Sequence, residues 1–262
     1  MEELFYYVLA LLPAVVLLAF ILWRDRLRPE PAKELILACV MGLLTVPFAM
    51  CLTRLFENMG VTFDPYGTTS DCLKTAFVGA AIPEELGKLL ILWLFFRWRR
   101  HQDEVMDGIV YAVCIGLVFA AYENVTYMST ALGWQSFNGY ASAPMVTGVL
   151  RALTAVPAHF CFAVAMGFFF SLYLFGKKNR WLFLLLSYLV PVLFHGLYDF
   201  LAFLENISPM WFSVISFLFF FVFFAMNNLC IKLIRTAIQV DDRAYELAAK
   251  KNAADREGES GL

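Results

Sequence analysis

Glu84 and Glu85 stand side by side in Ala81-Ile82-Pro83-Glu84-Glu85-Leu86-Gly87-Lys88, between Ala76-Phe77-Val78-Gly79-Ala80 and Leu89-Leu90-Ile91-Leu92. On a helix, Lys88 lies four residues from Glu84 and three from Glu85, spacings that bring side chains to one face. Pro83 removes a backbone hydrogen bond and predicts a kink where the carboxylates begin. Charges inside a membrane helix cost roughly 2.5–3.5 kcal/mol each on insertion scales, and they are kept where they pair and do work. Two carboxylates sharing one cation titrate as a coupled set, the electrostatic setting of a general base beside a general acid.

Three more segments carry polar groups among apolar ones. Phe119-Ala120-Ala121-Tyr122-Glu123-Asn124 places Glu123 mid-segment, with Phe119 and Tyr127 one turn away on the same face and Asn124 adjacent, able to donate to a carboxylate. A packing hydrogen bond across membrane helices is worth about 0.6 kcal/mol, too little to account for a buried charge. His159 sits in Val156-Pro157-Ala158-His159-Phe160, and His195 shares a face with Asp199 at i, i+4. Pro157 and Pro191 precede the two histidines by two and four residues, so each histidine follows a helix distortion. His159 alone reads more readily as a core histidine than as a ligand. Arg151 reads as an anchor that snorkels to the interface.

The elements that must position these groups are membrane helices. Hydrophobic residues make up 61% of the 262 positions, well above the roughly 45–50% of globular chains. Seven apolar segments are long enough to span a hydrocarbon core of about 30 Å: Leu4–Trp23, Leu35–Leu52, Leu73–Trp98, Val105–Leu132, Met145–Phe175, Trp181–Leu204 and Met210–Ile234. The fold class is an all-α polytopic membrane protein, a bundle of about seven transmembrane helices. Arg24, Arg26, Arg28 and Lys33 follow the first span, Arg97, Arg99 and Arg100 the third, and Lys177, Lys178 and Arg180 the fifth; the opposite loops hold only Arg54. By the positive-inside rule the N-terminus is outside and the C-terminus cytoplasmic. Residues 1–234 then form one transmembrane domain, and 235–262 a charged tail that reads as a solvated helix fraying into disorder. The net charge of −2 is spread over loops and tail and points to no nucleic acid. Met1-Glu2-Glu3 is acidic where a cleaved leader would be basic. The six cysteines form no disulfide framework, although Cys51 and Cys72, both near outer helix ends, could pair across their loop.

Depth brings the polar groups together. At ~1.5 Å per residue, Glu84 and Glu85 lie ~16–18 Å below the outer end of their span, Glu123 ~27 Å above an inner end, His159 ~20 Å below an outer end, and His195 and Asp199 ~20–27 Å above an inner one. All six fall between the midplane and the outer third of the core. The third to sixth spans are therefore expected to line a single buried site, with Lys88 and Asn124 supporting it. No Ser or Cys stands beside a base, so nucleophilic catalysis is disfavoured, and no phosphate loop or CxxC pair is present. What remains is water activation. Either a carboxylate acts as base with an imidazole as acid or oxyanion partner, or His159, His195 and a carboxylate such as Glu123 hold one Zn²⁺. The HExxH spacing is absent.

Glu84-Glu85-x-x-Lys88, Phe119-x-x-x-Glu123-Asn124, His159 in a proline-marked helix and His195-Gly-x-x-Asp199, in this order over residues 75–204, resemble the PrsW family of intramembrane proteases. That family is similar to the type II CAAX prenyl endopeptidases and to the APH-1 scaffold subunit. The resemblance implies a membrane-embedded endopeptidase of a bacterial cytoplasmic membrane, whose best-known member makes the first cut in a single-span anti-sigma factor on its extracytoplasmic side. Carried over by position, Glu84 or Glu85 would activate water, His159 and His195 would be acid or ligand partners, and Glu123 and Asp199 would orient them. The CAAX enzymes have His where this chain has Glu123, which argues against a prenylated C-terminus as substrate and leaves the metal open. Two other classes use similar residues: a proton- or ion-coupled transporter, against which no inverted repeat marks two halves, and a catalytically silent scaffold.

Overall fold

The computed structural model describes the backbone of residues 2–98, 104–176 and 178–260, all of it helix and connecting turns. Arg99, Arg100 and Lys177, counted above among the basic loop charges, lie outside the described residues. The helices are α1 (Glu2–Arg24), α2 (Ala32–Gly42), α3 (Thr45–Asn58), α4 (Thr69–Lys74), α5 (Ile82–Trp98), α6 (Val105–Asn138), α7 (Ala143–Leu150), α8 (Val156–Phe175), α9 (Arg180–Ile207) and α10 (Phe212–Ser260). Two π-helical segments, Thr75–Ala81 and Arg151–Ala155, fuse α4 to α5 and α7 to α8. Among the described residues six helical runs are long and apolar enough to cross a membrane: Glu3–Arg24, Ala32–Asn58, Val105–Asn138, Ala143–Phe175, Arg180–Ile207 and Pro209–Asn252. The α4–α5 run, Thr69–Trp98, is as long but carries Glu84, Glu85 and Lys88 in its middle.

The chain forms a bundle around α6 and α8. Ile109, Val113, Leu117, Ala158, Phe162 and Ala165 of these two helices lie in one core with residues of α1 and α10. On the other flank, Tyr111, Ile115, Met166 and Phe170 pack with α2 and α5. Small residues let α6 and α8 approach until their backbones touch: a Cβ on Gly167 would sit 2.2 Å from the Gly108 carbonyl oxygen. That is the small-residue packing expected where lipid supplies no hydrophobic drive between helices. Ser171 Oγ donates to the Val105 carbonyl at 2.9 Å across the same seam. The outer helices turn apolar side chains outward instead: Val15 and Val16 of α1, and Phe217 and Phe221 of α10, are more than half exposed.

At the end that carries the basic loops, polar groups tie the tail to the bundle. α10 runs unbroken past Ile234, and its tail portion is not simply solvated as expected. Asp241 is buried and accepts from the backbone N–H of Val105 at 2.8 Å and Met106 at 2.9 Å, occupying orphan donors at the start of α6. Arg28 bridges Glu104 at 2.5 Å and Asp242 at 2.9 Å. Burial, with Glu30 and Glu104 near, pushes the Asp25 carboxyl up to about 7. All six cysteines are free thiols, so Cys51 and Cys72 are not joined; Cys72 Sγ contacts the Pro65 carbonyl at 3.4 Å instead.

Candidate active site

The carboxylate pair enters the bundle through a π segment. Pro83 has no N–H for the carbonyl of Gly79, four residues back, and that carbonyl accepts from Thr53 Oγ1 of α3 at 2.9 Å. A proline kink was expected; instead the helix widens over Thr75–Ala81 and resumes as α5 at Ile82. Arg151–Ala155 does the same just before Val156-Pro157. π turns recur at functional sites because the extra residue re-aims the helix that follows. Here one π segment precedes Glu84 and Glu85 and the other precedes His159. Gly196 of α9 lies against the ring of Phe77 in the first π segment, where a Cβ would come within 2.3 Å of it.

The four helices α5, α6, α8 and α9 bring all the expected residues into one cluster. Lys88 Nζ donates to Glu85 Oε1 at 2.7 Å, lies 3.3 Å from His159 Nδ1 and 3.7 Å from Glu84 Oε2, and sits 4.2 Å from the centre of the Phe119 ring. His195 Nδ1 meets Glu85 Oε1 at 2.8 Å, while its Nε2 faces Asp199 Oδ2 at 3.3 Å and Glu84 Oε2 at 3.8 Å. The Phe162 ring stacks on His195 at 4.8 Å. His159 Nε2 meets Glu123 Oε2 at 2.8 Å. Because Glu123 and Glu85 can only accept, His159 carries its proton on Nε2 and His195 carries one on Nδ1. His159 Nδ1 is then the nitrogen free to accept, and it points at Lys88.

The two glutamates differ in environment. Glu85 is 0% exposed and its Oε1 accepts from both Lys88 and His195, so it ties α5 to α9. The Glu84 side chain is 15% exposed and its Oε2 has no hydrogen-bond partner; Glu85 Oε2 has none either. A cavity of about 650 Å³ between α3 and α6 has Glu84 and Glu123 in its lining. Ligand atoms of Glu84, Glu85, His159 and His195 all lie within 4.8 Å of one another. Glu123, expected as a ligand with the two histidines, stands outside that group, and its Oε2 is held by His159 and Arg151.

Arg151 is the residue that sequence reasoning misplaced. It does not snorkel: its guanidinium donates to Glu123 Oε2 at 2.8 Å and to Asn124 Oδ1 at 2.7 Å, and lies 4.0 Å from the centre of the Tyr127 ring. Among the described residues Asn124 donates to no carboxylate; its Nδ2 goes to the Ala10 carbonyl of α1 at 2.9 Å. A signal was present. Glu123 needs a counter-charge, and Arg151 is the sole cation between Met145 and Phe175.

Comparison with known proteins places these residues in context. A family model described as "PrsW family intramembrane metalloprotease" matches residues 30–226. The chain is 33% identical over 201 residues to Protease PrsW of Clostridioides difficile, covering 76% of this chain and 79% of that protein. It is 32% identical over 189 residues to that of Geobacillus kaustophilus, covering 72% and 76%. For that of Bacillus subtilis the figures are 29% over 217 residues, 82% and 90%. No solved structure matches significantly.

Proposed function

This chain belongs to the PrsW family of intramembrane metalloproteases and is a membrane-embedded protease of a bacterial membrane, and on that premise we propose that it hydrolyses a peptide bond of a membrane-spanning protein, such as a single-span anti-sigma factor, with Glu84 as the base that activates water. The observation that carries this assignment is that Glu84 lines the cavity, while Glu85 is 0% exposed and its Oε1 is committed to Lys88 and His195.

Glu84 Oε2 and His195 Nε2 stand 3.8 Å apart, too far for a direct hydrogen bond, and the water to be activated reaches Glu84 from the cavity that it lines. Glu84 takes a proton from that water, and the hydroxide oxygen bonds to the scissile carbonyl carbon. The oxyanion is met by the positive side of the site, where Lys88 and His195 stand fixed by Glu85. The C–N bond then breaks, and the proton held by Glu84 passes to the departing amine. Asp199 orients His195 from its Nε2 side. Glu123, neutralised by Arg151, holds His159 in the tautomer that leaves Nδ1 toward Lys88.

Two imidazoles, two carboxylates and two unpartnered buried oxygens fit a zinc ion by donor type. Glu84, Glu85, His159 and His195 would hold it, and it would supply Lewis-acid polarisation and a more acidic water. The ammonium of Lys88 already stands 2.7–3.7 Å from donors on three of these residues, so a dication has to displace it.

The test is cleavage of single-span proteins by protein reconstituted in lipid, with Glu84→Gln and His195→Ala alongside. Wild type cleaves and both variants lose cleavage. Cleavage that survives both changes overturns the proposal, and proton flux lost in the same variants without any cleavage points to a transporter.

A further inference from the structure

We propose that the groove between α1 and α10 at the basic-loop end binds one anionic phospholipid, whose phosphate is held between Arg24 and Arg235. The groove has a volume of about 260 Å³ and is lined by Phe20 and Arg24 of α1 and by Ile231, Ile234 and Arg235 of α10. Both helices present the same pattern to it. Phe20 precedes Arg24 by four residues and Ile231 precedes Arg235 by four, so each arginine stands one turn, ~6 Å, beyond an apolar side chain on the same face. The groove is therefore apolar toward the membrane core and cationic at the end nearer the loops.

A neighbouring side chain marks its depth. Trp23 is exposed beside Arg24, whose guanidinium lies 5.6 Å from the centre of the ring, and exposed tryptophans gather at the level of the lipid headgroups. The positive-inside rule makes this the cytoplasmic end. Deeper in the membrane the exposed surface stays apolar: Leu12 and Val16 continue the α1 face, and Phe217, Phe221 and Phe224 the α10 face. Acyl chains leaving the groove have these two stripes to lie on.

Charge selects the headgroup. Among the described residues neither Arg24 nor Arg235 forms an ion pair or a side-chain hydrogen bond, although this end of the bundle holds several carboxylates. Those are committed elsewhere: Glu104 and Asp242 to Arg28, and Asp241 to the first N–H groups of α6. Asp25 borders a second, much smaller cavity together with Arg24, but it is buried and keeps its proton up to about pH 7. Two guanidinium groups without a counter-charge at headgroup depth attract an anion, and their planar forks match phosphate oxygens in pairs. Basic pockets between helices at this face are where anionic headgroups bind. Inorganic phosphate would answer the two charges and leave Phe20 and Ile231 uncovered, whereas a phospholipid covers both. A choline or ethanolamine headgroup would bring its own cation against two arginines, so the site favours a phosphodiester that ends in neutral hydroxyls. Bound there, the lipid bridges α1 to α10.

The experiment titrates phosphatidylglycerol into the full-length protein in maltoside micelles and counts retained lipid by native mass spectrometry, with phosphatidylcholine and inorganic phosphate as separate arms. Wild type retains one phosphatidylglycerol in preference to phosphatidylcholine, and inorganic phosphate does not displace it. A cation beside an anionic lipid contributes about 1 kcal/mol, so Arg24→Gln and Arg235→Gln each weaken retention about fivefold and the double variant about 25-fold. Arg180→Gln removes a cation at the start of α9, on the same side of the membrane, and leaves retention unchanged. Ile231→Trp keeps both arginines but fills the groove, and it loses retention as the double variant does. A second readout follows folding: phosphatidylglycerol raises the denaturation midpoint of wild type, as any ligand of the folded state does, and raises that of the double variant much less. Equal retention of the two lipids, or retention that survives the double substitution, overturns the proposal. An equal loss in Arg180→Gln reduces the effect to general surface charge and removes the groove. Displacement by inorganic phosphate makes this a site for a free anion and refutes the lipid.

Discussion

Replacing Glu84 and Glu85 one at a time by Gln separates the base from its support, because the two carboxylates are bound so differently. Glu85 is 0% exposed and its Oε1 accepts charged hydrogen bonds at 2.7 Å from Lys88 and 2.8 Å from His195. Removing one partner of a buried ion pair costs about 3–5 kcal/mol, because the remaining charge keeps its desolvation penalty. After Glu85→Gln, Lys88 has Glu84 as its nearest carboxylate, at 3.7 Å and beyond hydrogen-bond reach. Glu85→Gln therefore loses about 3–5 kcal/mol of stability together with activity. Glu84 Oε2 has no hydrogen bond to lose, and the longer-range attraction it gives up is offset by the desolvation no longer required. The stability change for Glu84→Gln is about 1 kcal/mol or less. Its rate falls by about 10²–10⁴-fold, the usual contribution of a general base. The assay pairs peptide cleavage in nanodiscs with equilibrium denaturation in mixed micelles for wild type and both variants. If Glu85→Gln loses cleavage at unchanged stability while Glu84→Gln still turns over, the base is Glu85 and the argument from the cavity is wrong.

Arg151→Leu leaves Glu123 without its cation and loses about 3–5 kcal/mol of stability; Arg151→Lys keeps the charge but cannot hold Glu123 and Asn124 together, so it recovers part of the stability and less of the cleavage rate. Equal behaviour of the two variants would refute a positioning role that depends on the fork. Zinc titration of metal-stripped protein by calorimetry gives tighter binding to Lys88→Met than to wild type, since the ammonium lies among the donors; equal affinities remove Lys88 as a competitor. Asp25, raised from 3.8 to about 7 by burial and by Glu30 and Glu104, adds a pH dependence of definite sign. The unfolded chain releases this proton first, so the stability Asp25 contributes is present below about pH 4 and is lost as pH rises to about 7. The wild-type denaturation midpoint falls over that window relative to Asp25→Asn, and parallel profiles contradict it.

Much of the site was legible because membrane chemistry makes polar residues conspicuous. In a chain that is 61% hydrophobic, Glu84, Glu85, Lys88, Glu123, His159, His195 and Asp199 stand out by type, and a rise of about 1.5 Å per residue is enough to place them at similar depth. The fold class follows from the same contrast of apolar spans with charged loops. Helix periodicity also put Lys88 on the face of both glutamates and Asp199 on that of His195, since i, i+3 and i, i+4 neighbours need no partner helix to be known.

Tertiary structure decided everything that depends on partners far apart in the chain. Spacing puts Glu84 and Glu85 equally near Lys88; only the approach of α9, which brings His195 to Glu85 Oε1, makes one glutamate a tie and leaves the other facing the cavity. Arg151 read as an anchor because its depth alone suits snorkelling, whereas its pairing with Glu123 and Asn124 depends on how α6 and the π segment before α8 pack. The π segments escaped notice because Pro83 and Pro157 announce a lost hydrogen bond without saying whether the helix kinks or widens, and Thr53 of another helix receives the freed Gly79 carbonyl. The tail read as solvated because it is charged, but Asp241 is drawn in by two backbone N–H groups that exist as orphans only once α6 begins at Val105. Sequence by itself determined which residues could do chemistry and that a membrane surrounds them. Packing across four helices determined which of them hold the others still and which one is left facing the cavity.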